Sequence, residues 1–256
     1  MESSGNRYMI RFESARKVFD ADGSEVVAVA GLDLQVSAGE TVCLIGTSGS
    51  GKTTVLKMVN RLVEPSGGCV RVNGEDVRGM DLIALRRSVG YVIQGAGLLP
   101  HLTVAGNVGL LCRLEGWPAK RTSERVAELL DLVNMPAGEY AERRPSELSG
   151  GQQQRVGVAR ALALDPGIVL MDEPFGALDP ITRDALHGEF LRLEEQVKKT
   201  ILLVTHDMVE AFKLGDRVAL LDGGQLVQVG TEEDFRERPA NDFVRDFTRA
   251  HAGGHA

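Results

Sequence analysis

Thr41-Val42-Cys43-Leu44-Ile45-Gly46-Thr47-Ser48-Gly49-Ser50-Gly51-Lys52-Thr53-Thr54 decides the fold. Its mostly apolar start predicts a buried strand over 41–45, and the segment from Lys52 predicts a helix over 52–62. Between them stands G-x-x-x-x-G-K-[ST], the phosphate-loop pattern, in the strand–loop–helix setting that gives it meaning. Glycines let consecutive N–H groups turn into one concavity, and the helix that follows adds its positive end. This assigns Gly46, Thr47, Ser48, Gly49, Ser50, Gly51, Lys52, Thr53 and Thr54 to a nucleoside triphosphate. Lys52 reaches the β- and γ-phosphates, and the Thr53 hydroxyl is a ligand for Mg²⁺.

Outward from this stretch, short apolar runs alternate with helix-period segments. Strands are expected at 26–29, 32–36, 41–45, 70–72, 90–93, 168–171, 201–204, 218–221 and 226–229. Helices are expected at 52–62, 82–87, 123–133, 151–164, 181–198 and 208–214. Asn73-Gly74 and Gly223-Gly224 read as tight turns. The alternation predicts an α/β fold, a P-loop NTPase core with a mostly parallel sheet and an antiparallel β portion. From Gln94 to Gly151 the strand signal disappears, and helical pattern broken by Pro100, Pro118, Pro136 and Pro145 predicts an inserted α-helical subdomain. We therefore expect one domain over 1–250. Its α/β core takes 1–94 and 165–230, its helical subdomain 95–164 and a short helical tail 231–250, with 251–256 disordered.

The 256 residues carry a net charge of −7 and no long basic run, which argues against a nucleic acid partner. No stretch approaches the roughly 18 apolar residues of a spanning helix, and the first nine residues lack the apolar centre of a signal peptide. A cytoplasmic protein is expected, reaching the inner face of the membrane only through a partner. Cys43, Cys69 and Cys112 are odd in number and far apart, unlike a zinc site or a disulfide framework.

A second chemical stretch is Ile168-Val169-Leu170-Met171-Asp172-Glu173, a buried strand ending in two acids. Beside a phosphate loop, Asp172 can hold Mg²⁺ and Glu173 can polarise the water that attacks the γ-phosphate.

Further motifs in order make the chain similar to the ABC ATPase family. Leu148-Ser149-Gly150-Gly151-Gln152 resembles the family's signature, Gln94 its Q-loop glutamine, Ala177-Leu178-Asp179 its D-loop and His206 its switch histidine. The resemblance implies that Ser149, Gly150, Gly151 and Gln152 address the γ-phosphate of ATP held by a second copy. It implies that Gln94 touches Mg²⁺ or the attacking water, that His206 contacts the γ-phosphate, and that Asp179 bridges the two copies. Adenine would stack on a ring 25–30 residues before the loop, where Phe19 fits best, or Phe19 is core. His101, His187, His251 and His255 have no such setting and read as solvated or packed. The implied protein is an ATP-hydrolysing homodimer attached to integral membrane permease subunits and, through them, to a solute-binding protein.

Within the family, Gly90-Tyr91-Val92-Ile93-Gln94, Leu99-Pro100-His101-Leu102-Thr103-Val104 and the run from Met171 to Arg183 resemble the ATPases of osmoprotectant importers. Those take up glycine betaine, carnitine, choline or proline. Gly95 departs from that pattern, which usually has a second glutamine, as does Gly106, where a polar residue is common. The chain ends soon after Arg249, so paired C-terminal regulatory domains are not expected. An importer of amino acids, anions or lipids is the alternative within transport. A soluble ABC ATPase acting on DNA or the ribosome is the alternative outside it, although no heptad run and only one motif set is present.

Overall fold

The fully buried strand Thr41–Gly46 organises the computed structural model, which describes residues 8–21 and 23–252. Two compact units divide the chain, one of residues 1–86 and 200–256, the other of 87–199. The first unit opens with β1 (Tyr8–Ala21), β2 (Ser24–Ser37), β3 (Thr41–Gly46), α1 (Lys52–Val59), β4 (Gly67–Val72), β5 (Glu75–Asp76) and α2 (Leu82–Ser88), whose last two residues belong to the second unit. The second continues with β6 (Val89–Val92), α3 (Val104–Val108), α4 (Leu110–Leu114), α5 (Ala119–Leu132), α6 (Ala137–Tyr140), α7 (Gly150–Ala161), β7 (Ile168–Asp172) and α8 (Pro180–Val197). The chain then returns to the first with β8 (Thr200–Val204), α9 (Met208–Leu214), β9 (Arg217–Asp222), β10 (Gln225–Gly230), α10 (Glu232–Glu237) and α11 (Asp242–Ala252).

In the first unit β3 pairs in parallel with β8 and β9, and β10 closes that edge antiparallel to β9. All six residues of β3 and all five of β8 are buried, as expected of strands covered on both faces. A second sheet, ordered β2-β1-β4-β5, is antiparallel throughout. Both predicted turns close hairpins: Asn73 and Gly74 have φ of 53° and 87°, and Gly223 and Gly224 have 51° and 79°. Positive φ at both central residues matches the strand twist, which is why these pairs suit the position.

The structure departs from expectation in this unit where local pattern is irregular. The runs 26–29 and 32–36 are one continuous strand, because Gly31 (φ 100°) bends without breaking the ladder. Strand β1 was not expected at all. Its buried Ile10 and Phe12 alternate with polar residues, but the alternation slips at Ser14 (φ 45°), whose N–H donates to Asp33 Oδ1 at 2.7 Å. Helix α1 stops at Val59 rather than 62, since Arg61 turns left-handed (φ 51°) to send its guanidinium to the Val77 and Met80 carbonyls. At the far end, α11 includes His251 and Ala252, which were expected to be disordered; residues 253–256 lie outside the described residues.

In the second unit β6 and β7 pair in parallel, and residues 95–164 form helices without a strand among the described residues. Leu129 and Leu130 of α5 are 1% and 0% exposed, each contributing about 1.5–3 kcal/mol of apolar burial. The short helices α3, α4 and α6 were not anticipated individually. Helix α8 ends one residue earlier than expected, with Lys198 in the left-handed region (φ 44°) as its cap.

Candidate functional site

In the first unit, Gly46 leaves β3 with φ 145°, and a Cβ there would fall 1.9 Å from the Leu221 carbonyl oxygen. Gly51 (φ 93°) is equally constrained, since a Cβ would lie 2.2 Å from Ala28 O. Between them Ser50 N donates to Thr47 O at 3.2 Å, and Thr47 Oγ1 donates to Asp222 Oδ1 at 2.9 Å. The loop is therefore anchored on both β2 and β9 by contacts only glycine allows.

Lys52, the first residue of α1, is 8% exposed and folds back over the loop. Its ammonium donates to Gly46 O (3.0 Å), Thr47 O (2.7 Å) and Ser50 Oγ (3.3 Å). The α1 cap residue is Gly51, which offers no side-chain acceptor to the first turn. A ring of backbone dipoles, a helix N-terminus and a desolvated ammonium suit a polyphosphate. Ser48 and Gly49 form the exposed rim, and Thr53 and Thr54 follow in the first helical turn, half-buried. His206, exposed just after β8, precedes Asp207, whose carboxylate caps α9 by accepting from Val209 N and Glu210 N. Phe19 on β1 is 39% exposed, with the Lys17 ammonium 4.8 Å from its ring centroid, so it is not a core residue.

In the second unit, β7 carries Asp172 to its end, 7% exposed, and the chain then turns sharply at Glu173 (φ 46°). Such a conformation in a glutamate costs energy and persists only where surroundings enforce it. Gln94 Nε2 donates to Glu173 Oε2 at 3.0 Å, so the predicted Q-loop glutamine and the predicted base are brought together. Tyr91 donates through its hydroxyl to Asp172 Oδ2 at 3.4 Å. Burial, then the neighbouring Asp172 charge and this hydrogen bond, push the Tyr91 phenol well above its ordinary pKa. It stays protonated and donates. Tyr91 was not singled out from sequence as a site residue; the parallel register that sets Tyr91 opposite Leu170 cannot be read from either strand alone.

Helix α7 begins with a reciprocal cap. Gln152 N donates to Ser149 Oγ at 3.3 Å, and Ser149 N donates to Gln152 Oε1 at 2.9 Å. Gly150 and Gly151 pack on the chain around α8: added Cβ atoms would meet Leu178 Cδ2 at 3.3 Å and Thr182 Cγ2 at 3.0 Å. Asp179 caps α8 by accepting from Thr182 N at 3.0 Å, and hydrogen bonding from Thr182 lowers its pKa. Among the other histidines, His187 is buried edge-on to Phe175 and His251 stacks on Phe247, while His101 is exposed. His255 lies outside the described residues. Gly106 fits tightly below Leu102, where a Cβ would stand 3.1 Å from Leu102 Cβ.

A parallel sheet feeding a glycine phosphate loop, a strand ending in Asp-Glu and a glycine-led second helix define a nucleotide-binding cassette. The profile of the ABC transporter family matches residues 29–176, and the chain belongs to that family. It is 52% identical over 239 residues to the glycine betaine/carnitine/choline transport ATP-binding protein of Bacillus subtilis, covering 93% of this chain and 62% of that protein. It thus spans about three-fifths of that relative's length. It is 49% identical over 239 residues to the glycine betaine uptake system ATP-binding protein of Escherichia coli, covering 93% and 76%. Among solved structures, the dimeric ATP-binding cassette MJ0796 in a post-hydrolysis state, bound to ADP and Pi, superposes with a TM-score of 0.78. The two are 32% identical, and the match covers 87% of this chain and 98% of that one.

Proposed function

We propose that this chain is the ATP-binding and ATP-hydrolysing subunit of an ABC importer, powering uptake of a quaternary-amine osmoprotectant through a separate membrane permease. The observation that carries it is the Gly46–Thr54 loop, where Lys52 folds back onto the Gly46 and Thr47 carbonyls and where Gly46 and Gly51 leave no room for a Cβ. Residues 95–164 serve as the signature subdomain, and 1–94 with 165–230 as the α/β core. Phe19 stacks on adenine, and Gly46 to Thr54 hold the phosphates.

Thr53, Gln94 and Asp172 are the oxygen donors assigned to Mg²⁺. Mg²⁺ usually keeps phosphate oxygens and water in its shell, so a few protein oxygens are enough. Held by these residues, Mg²⁺ would supply charge neutralisation to the phosphates. The Glu173 carboxylate takes the proton of the water that attacks the γ-phosphorus, and the bond to the β-bridging oxygen breaks to leave ADP and phosphate. Gln94 holds that carboxylate through its amide. His206 donates to the γ-phosphate. Ser149, Gly150, Gly151 and Gln152 of a second copy stabilise the transition-state charge, and Asp179 joins the copies.

No helix among the described residues is long and apolar enough to cross a membrane. In this reading integral membrane permease subunits are separate chains, and this chain is peripheral on the inner face of the membrane through them. The solute assignment draws support from what both named relatives transport. Deletion of the gene should abolish uptake of labelled glycine betaine or choline under osmotic stress. Intact uptake of both, with loss of another solute, would overturn the quaternary-amine assignment. Specific ATPase activity should rise with protein concentration, and full activity in a monomeric species would overturn the paired site.

A further inference from the structure

Gln94 stands at the head of a stretch that local preference alone would not hold. Gly95, Ala96 and Gly97 have φ of 71°, 61° and 52° in succession, and Ala96, with its side chain buried, takes a conformation that L-residues other than glycine seldom adopt. Gly97 N donates back to Gly95 O at 2.7 Å, closing a three-residue turn. What fixes it comes from α7. Arg160, in the last turn of that helix, donates Nη2 to Ala96 O at 2.7 Å and Nη1 to Gly97 O at 2.8 Å. One turn earlier, Gly157 lets the loop approach: an added Cβ would lie 3.3 Å from Ala96 Cβ. Burial lowers the Arg160 pKa, the mark of a cation kept out of water. Two carbonyls in this fixed fork suit a guanidinium and not an ammonium.

We infer that Arg160 is a positioning residue for ATP hydrolysis: by clamping the Ala96 and Gly97 carbonyls to the end of α7, it sets where Gln94 meets Glu173. This rests on the nucleotide reading given above. Ser149 caps the start of the same helix, so its two ends address two parts of the proposed chemistry, about 16 Å apart along an α-helix. A displacement of α7 at its signature end is then felt at the carboxylate that takes the proton.

The test is a double-mutant cycle between positions 160 and 94, with kcat and nucleotide affinity read separately on the full chain. Arg160→Met keeps a long apolar stem and removes both bonds; it should lower kcat at least tenfold and change nucleotide affinity by less than twofold. Arg160→Lys should recover only a minor part of the loss. In a Gln94→Ala background, Arg160→Met should cost less than threefold more, because the residue acts through Gln94. Gly157→Ala pushes on Ala96 without touching the arginine, and should give the same kcat loss and the same suppression even if Arg160→Met folds poorly. Additive losses in the cycle, or wild-type kcat in Gly157→Ala, would overturn the inference with nucleotide binding intact. A wild-type protein that binds no nucleotide would overturn the proposed function and the inference with it.

Discussion

Helices α1 and α7 both open on glycine-rich turns, yet their first turns are satisfied in opposite ways. At α1 the cap is left-handed Gly51, with no side chain to offer, and the lysine that follows curls over the loop. At α7 the cap is Ser149, closed by a two-way exchange with Gln152. The first helix end has no side-chain cap of its own, and the proposed function gives it a phosphate to hold. The second is capped within the chain, and under the proposed function Ser149 would have to turn from its helix to a phosphate presented by a second copy. Similar sequence texture thus covers one helix end without a side-chain cap and one closed by a reciprocal cap.

The largest expected effect separates both helix ends from the chemistry. Glu173→Gln keeps the shape of the turn but cannot take the proton of water, so kcat should fall by about 10²–10⁴-fold. ATP affinity should hold, and a nucleotide-trapped dimer should appear by light scattering. Hydrolysis near the wild-type rate would remove Glu173 from the role of base. Next in size, Lys52→Ala removes a charged donor from the α1 cradle. One charge-assisted bond contributes roughly 1.5–3 kcal/mol, so affinity for a fluorescent ATP analogue should fall by about 10²-fold. Unchanged affinity would mean that the cradle is not at α1.

Gly51→Ala sharpens the same end of the comparison through the backbone. A methyl group would meet Ala28 O at 2.2 Å in a residue held at φ 93°. The cost should be about 2–3 kcal/mol. Melting should come down by roughly 5–10 °C, with MgATP binding lost alongside. A stable variant that still binds would show that the loop can rebuild without its glycine.

The strand, loop and helix from Thr41 to Val59 were legible because they are contiguous, and β7 is a single run that ends on Asp172 with Glu173 next in the chain. Helix α9 matches its expected range of 208–214 because Asp207 caps one end and Gly215 closes the other. Long-range partners were not legible. Tyr91 reaches Asp172 through strand pairing, and Arg160 reaches the Gln94 loop through helix packing, and neither leaves a spacing rule in the sequence. β1 escaped for a related reason, since its bulge at Ser14 breaks the period-two signal that a strand is read by.

Ser149 carries the smallest and most discriminating effect, because it has two roles that one substitution confounds and two substitutions separate. As a cap, its hydroxyl satisfies the Gln152 N–H, and Ser149→Ala should cost about 1 kcal/mol. For a chain of this size that lowers the melting temperature by roughly 2–4 °C. Ser149→Asp restores a cap acceptor, so its melting temperature should return to the wild-type value. Its carboxylate, however, would face the γ-phosphate of the second copy's ATP, where a negative charge repels the group to be stabilised. If Ser149 is a phosphate ligand, both variants hydrolyse poorly although only Ala is destabilised, and both bind nucleotide as the wild type does through their own α1. If Ser149 is a cap alone, activity should track melting temperature, and Ser149→Asp should hydrolyse at the wild-type rate. That second outcome would collapse the contrast between the two helix ends, leaving α1 as the sole anion site and α7 as a capped strut.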